Sequence, residues 1–139
     1  MTIKLTTEDV RIVGTFERLI GVHVKDCLVD DDTVYFLIEP GKMGIAIGKN
    51  GVNIKSVSAA LGKKVKIFEY ADTPDKLVRS LIPNVNSLEI SNGSVTVSVP
   101  ASDRSAVIGK SGKNIKIIRR FLDRHFDIKN LRLNNISKD

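Results

Sequence analysis

Tryptophan is missing and cysteine nearly so: the 139 residues hold no Trp, one Cys and two His. A single Cys27 excludes an internal disulfide, and with His23 and His125 far apart it gives no metal-ligand spacing. Neither structural zinc nor any other cofactor is expected. Aromatic residues make up only 5% of the chain, so the core should be packed with aliphatic side chains. No apolar run approaches the roughly 18 residues needed to span a bilayer, and the opening MTIKLTTEDV has no apolar stretch of the secretory kind. A soluble, cytoplasmic chain with no membrane partner is the expectation. Catalytic constellations are lacking too. Cys27 and His23 fall on one predicted strand without a suggested acid partner, and Asp30-Asp31-Asp32 reads as a polar hairpin turn, with cation binding the lesser alternative. No base and nucleophile pair emerges, so the chain is not expected to be an enzyme.

What is present is charge, unevenly placed. The net charge is +6; residues 1–72 balance ten Lys/Arg against ten Asp/Glu, whereas residues 73–139 hold twelve against six. All of the excess lies in the second half. A one-sided positive field attracts a polyanion, either nucleic acid or an anionic membrane, while the plainer reading is a basic surface kept for solubility.

The sequence also repeats itself. IGKNGVNIK, Ile47 to Lys55, aligns with IGKSGKNIK, Ile108 to Lys116, at an offset of 61 residues with seven of nine positions identical. Pro40 and Pro100 precede the two motifs at similar distances, and Leu61 matches Leu122. A duplicated unit follows. Gly109-Lys110-Ser111 on its own suggests a nucleotide phosphate loop, but that motif needs a glycine five positions before its Gly-Lys pair, where Arg104 stands. A nucleotide-dependent enzyme is thereby disfavoured.

Each unit reads as α-β-β-α-α-β. In the first, Thr7 to Ile20 has helical apolar spacing, with Thr7 as cap and Gly21 as stop. Strands are expected over Val22 to Val29 and Thr33 to Glu39, then a helical turn from Met43 to Ile47, a glycine loop, a helix through Leu61 and the strand KKVKIFEY. In the second, Thr73-Pro74-Asp75 caps a helix ending near Pro83, and NSLEIS and SVTVSV form a hairpin across Asn92-Gly93. A short helix from Asp103, the loop Gly109 to Gly112, a helix to about Phe126 and the strand KNLRLNNI complete the unit. On the last helix, Ile115, Ile118, Leu122 and Phe126 are expected to face the sheet. Lys113, Lys116, Arg120 and Arg124 lie opposite, with Arg119 on the flank.

Glycines at both ends of a four-residue loop let the backbone turn sharply and let a ligand come close. The amides opening the following helix lack intrahelical partners and carry the positive end of its dipole, so a phosphate can dock there. Lys49 and Lys110 add a charge within each loop, while Asn50 and Ser111 are small enough not to obstruct it.

The helix pair joined by Ile47-Gly48-Lys49-Asn50-Gly51-Val52-Asn53-Ile54, and again by Ile108-Gly109-Lys110-Ser111-Gly112-Lys113-Asn114-Ile115, resembles the K-homology (KH) domain. The element order is similar to its type II form. Implied is an α+β chain of two tandem type II KH domains, residues 1–71 and 72–139, each a three-stranded mixed sheet covered by helices. The tandem pair resembles the archaeal NusA-like transcription factors, which implies single-stranded RNA binding in transcription termination, antitermination or elongation control. RNA polymerase or other transcription factors are implied as further partners, and the chain itself as a monomer. Bacterial relatives add a polymerase-binding N-terminal domain and an S1 domain, for which these 139 residues are expected to have no room.

The resemblance implies bases in a shallow aliphatic groove beside each loop, with about four nucleotides clamped by G-x-x-G. The RNA-binding set is then Ile47, Gly48, Lys49, Asn50, Gly51, Asn53 and Lys55, with Ile108, Gly109, Lys110, Ser111, Gly112, Lys113, Asn114, Lys116 and Arg120. Ile54 and Ile115 serve groove or core. Scarce aromatics fit, since modules that stack bases display exposed rings. Only YADT separates the units, so two clefts in fixed register are expected. A protein-interaction module of the transcription or ribosome assembly apparatus is the alternative.

Overall fold

The structure is a computed structural model that describes residues 5–135. Ile136, at the end of the last expected strand, lies outside them. The chain divides into two compact units and passes from one to the other between Ala71 and Asp72.

In the first unit the order is α1 (Thr7–Ile20), β1 (Val24–Asp30), β2 (Thr33–Ile38), α2 (Met43–Ile47), α3 (Val52–Leu61) and β3 (Lys64–Glu69). The cap of α1 is Thr6 rather than Thr7. Its hydroxyl accepts the Asp9 amide at 3.0 Å and the Asp9 carboxylate accepts the Thr6 amide at 3.1 Å, a reciprocal pair that only the threonine three residues before Asp9 can make. Gly21, at φ 77°, ends the helix. β1 begins two residues later than expected, at Val24. Central β2 pairs antiparallel with β1 and parallel with β3. Val34, Phe36 and Ile38 of β2 meet Ile12 and Phe16 of α1, Ala46 of α2 and Val57 of α3 in one core, where the rings of Phe16 and Phe36 lie 4.4 Å apart. Tyr35 and Leu37, on the other face of the same strand, are buried as well.

The second unit repeats the plan with α4 (Pro74–Leu81), β4 (Ser87–Ser91), β5 (Ser94–Val99), α5 (Arg104–Ile108), α6 (Lys113–Phe126) and β6 (Asn130–Asn135). Pro74 sits at the first position of α4, where its fixed φ suits the helix and its missing N–H leaves nothing unsatisfied. Asn92 and Gly93 join β4 to β5 with φ of 49° and 76°, the paired positive values that a two-residue hairpin of matching twist requires. β5 pairs antiparallel with β4 and parallel with β6. Its residues alternate: Val95, Val97 and Val99 are buried, while Ser94, Thr96 and Ser98 are half-buried.

The buried stripe of α6 differs from the expected one. Ile117, Ile118, Phe121 and Leu122 are buried, whereas Ile115 and Phe126 are half-buried. With apolar residues at 115, 117, 118, 121, 122 and 126, two overlapping stripes fit the helical period. The stripe centred on mid-helix is the one that is buried. Lys116, Arg119 and Arg120 are exposed, and Arg124 is half-buried instead of standing on the solvent face.

Candidate functional site

Each loop is a tight turn followed at once by a helix. Gly48 has φ 76° and ψ 170°, a region open essentially to glycine alone, and Gly109 repeats it at 78° and 171°. Space adds a second requirement. A Cβ on Gly48 would lie 2.9 Å from the Asn53 side chain and 3.0 Å from its amide nitrogen, and one on Gly109 would lie 2.7 Å from Asn114 Cβ. The second glycine of each loop is needed for conformation only: Gly51 and Gly112 both have φ 74°, yet a Cβ there would meet nothing closer than 3.7 Å.

The asparagine beside the first glycine braces the loop from within. Asn53 Nδ2 donates to the Ile45 carbonyl at 2.7 Å, and Asn114 Nδ2 donates to the carbonyls of Val107 at 3.1 Å and Ala106 at 3.5 Å. All three bonds tie the helix after the loop to the helix before it. Inside the turn the Gly51 amide donates to the Gly48 carbonyl at 3.0 Å and the Gly112 amide to the Gly109 carbonyl at 3.1 Å. The Val52 and Lys113 amides donate to the carbonyls of Lys49 and Lys110. Sequence reasoning left the amides opening the second helix without partners. The first of them is in fact held by the turn itself.

Asn50 and Ser111 adopt the left-handed conformation, at φ 56° and 57°. Asparagine tolerates this region far better than serine does. The middle of the loop therefore has a conformational demand, beyond the smallness that sequence reasoning assigned to it.

Lys49 and Lys110 are exposed at the loop tips, with Asn50 and Ser111 beside them. Lys55 is exposed one turn into α3, its Cε 3.7 Å from where a Gly51 Cβ would stand. Lys116 and Arg120 are exposed on α6, and Lys113 is half-buried at its start. Asp123 shares that helix but not its role, because its carboxylate lies 2.5 Å from Lys129 Nζ. Hydrogen bonding and attraction from Asp123 hold the Lys129 ammonium above its ordinary value. Arg104, where a nucleotide loop would have glycine, donates from Nη1 to the Leu133 carbonyl of β6 at 2.8 Å. Ile47 is exposed and Ile108 half-buried, while Ile54 and Ile115 are both half-buried.

The KH domain family matches residues 11–82, and the NusA-like second KH domain matches residues 76–135. The chain is 37% identical over 138 residues to the probable transcription termination protein NusA of Halococcus morrhuae, covering 96% of this chain and 99% of that protein. The chain belongs to the NusA-like family. A second NusA-like relative, the probable transcription termination protein NusA of Methanocaldococcus jannaschii, is 34% identical over 137 residues, with 94% of this chain and 75% of that protein covered. The crystal structure of APE1850 matches at a TM-score of 0.79 and 33% identity, over 94% of this chain and all of that one. The NusA-like fold here is thus two tandem type II KH domains, each with its G-x-x-G turn between two helices.

Sequence reasoning passed over Ile45 and Val52, which flank the first loop and are exposed. Their counterparts at the offset of 61 are Ala106 and Lys113, so the alignment of the two repeats already carried the signal. The other sequence candidates lie apart from the loops. Cys27 is buried in β1, and His23 Nδ1 lies 3.0 Å from Glu17 Oε2. Among the described residues no group of three or more His, Cys, Asp or Glu is placed to hold a metal ion, and no helix is long and apolar enough to cross a membrane.

Proposed function

We propose that this NusA-like chain binds single-stranded RNA in the cytoplasm as a transcription factor acting in termination, antitermination or elongation control, without catalysis. The observation that carries the reading is one loop shape built twice. Two glycines per loop, a left-handed residue between them and a bracing asparagine hold the same backbone path at Gly48 to Gly51 and at Gly109 to Gly112, each with an exposed lysine at the tip. A phosphate meets there a lysine, a backbone stripped of Cβ atoms at both ends of the turn, and the positive end of a helix dipole. RNA polymerase, or factors bound to it, is the protein partner that membership in this family supports.

The test is the double change Lys110→Asp with Ser111→Asp, assayed for binding of a short single-stranded RNA. Aspartate accepts the left-handed conformation, so folding is preserved, while two carboxylates stand where phosphate would dock. Weakened binding by a folded variant is expected. Affinity equal to that of the parent chain removes the loop from the RNA site.

A further inference from the structure

The two loops share a shape but not a surface. Every large hydrophobic side chain that is exposed among the described residues belongs to the first unit, namely Leu5, Val10, Leu19, Ile45, Ile47 and Val52. Three of these rim the first loop, with Ile45 52% exposed, Ile47 38% and Val52 57%. At the offset of 61 the second loop has Ala106, the half-buried Ile108 and Lys113. Met43, which packs on the first core and has no donor, is replaced by Arg104. Ser58 and Ala59 of α3 become Arg119 and Arg120 of α6, both exposed. One pair runs the other way: Lys42 becomes Asp103, whose carboxylate accepts from Asn84 Nδ2 at 3.1 Å.

Cations on phosphate grip every sequence alike, whereas discrimination comes from contacts to the bases. An aliphatic rim has nothing to offer a phosphate, but it can pack against the face or edge of an unstacked base. Resting on the RNA-binding reading above, we infer that the loops divide the work. Ile45, Ile47 and Val52 of the first unit select among bases, and Lys116, Arg119 and Arg120 of the second supply most of the sequence-blind grip.

The test uses the full chain and a pool of short random-sequence single-stranded RNA, with the retained fraction sequenced. The parent chain should enrich a base preference. I45A/V52K changes two exposed positions and gives the first loop the second loop's residues; it should retain the pool at least as well while enrichment falls by about fivefold or more, the least that one base contact gives. K116Q/R120Q should bind roughly tenfold more weakly at low salt, with a log-log salt slope shallower by about 1.4 and the same preferred bases. Circular dichroism confirms that both variants are folded. Enrichment that survives I45A/V52K overturns the inference. Enrichment lost in K116Q/R120Q overturns it as well. A parent chain that retains RNA without base preference defeats the division of work but leaves RNA binding standing, whereas failure to retain any RNA defeats the binding reading itself.

Discussion

The two units have nearly the same loop and quite different surroundings. Their backbone angles agree within 6° at the three positions that define the turn, from Gly48 against Gly109 to Gly51 against Gly112. Yet the helix after the first loop carries Lys55 with small residues, and the helix after the second carries Lys113, Lys116, Arg119 and Arg120. The back of the first sheet is buried at Leu28, Tyr35 and Leu37, whereas Ser94, Thr96 and Ser98 leave the back of the second half-buried. Shape resides in a few shared positions, the two glycines and the asparagine, and chemistry in the positions between and around them.

The hardest way to break that equivalence is at the first glycine of a loop. Gly109→Ala combines a forbidden backbone region with a Cβ 2.7 Å from Asn114 Cβ, and should cost about 3 kcal/mol or more. Gly112→Ala meets open space and should cost only about 1 kcal/mol. Urea unfolding ranks the two, and equal midpoints would contradict the bracing geometry. Next comes charge. Lys110→Asp with Ser111→Asp should lower RNA affinity by roughly tenfold, and Lys49→Asp with Asn50→Asp by roughly threefold, since α6 concentrates the positive field. Fluorescence anisotropy with one RNA reads both, and the reverse order would place the main electrostatic site in the first unit.

A smaller contrast separates the two braces. Asn53→Ala removes a 2.7 Å bond and should cost about 1 kcal/mol. Asn114→Ala removes longer bonds and also a buried Oδ1 that has no hydrogen-bond partner, so its cost should be the lower of the two. Thermal denaturation of the two variants side by side checks the ranking. Smallest is the exchange of the middle residue. Ser111→Asn should stabilise the second unit by about 0.5 kcal/mol and Asn50→Ser should destabilise the first by as much, because asparagine suits φ near +57° better than serine does. Shifts of the same sign in both variants would rule out the conformational explanation.

Much of this was legible before any coordinates. The repeat offset, the NSLEIS and SVTVSV hairpin and the helix stop at Gly62 rest on local rules: internal similarity, paired positive φ at Asn-Gly, and glycine after the last helical turn. The α6 stripe was half legible: Ile118 and Leu122 are buried as expected, but six apolar residues fit two helical faces and only tertiary packing decides between them. Choosing Thr6 over Thr7 as the cap was legible too, because only Thr6 stands three residues before an acidic residue, Asp9, in the capping-box spacing. At the site, lysines and glycines announce themselves by type. Asn53 and Asn114 read as ligand contacts from the motif, and their Nδ2 atoms turn inward to carbonyls eight residues back in the case of Ile45 and seven or eight in the case of Val107 and Ala106. Which isoleucine is exposed depends on how α2 and α5 lie on the core, which spacing alone does not give.

The asparagine brace also bears on how such a loop can change over evolutionary time. With the turn held by Gly48 and Asn53, or by Gly109 and Asn114, the exposed residues around it are free to vary without unfolding the helix pair. A duplicated copy can thus change its side-chain chemistry while inheriting an intact scaffold, as Val52 and Lys113 illustrate. A library randomised at those two positions should remain folded in nearly all members, whereas one randomised at Gly48 and Asn53 should not.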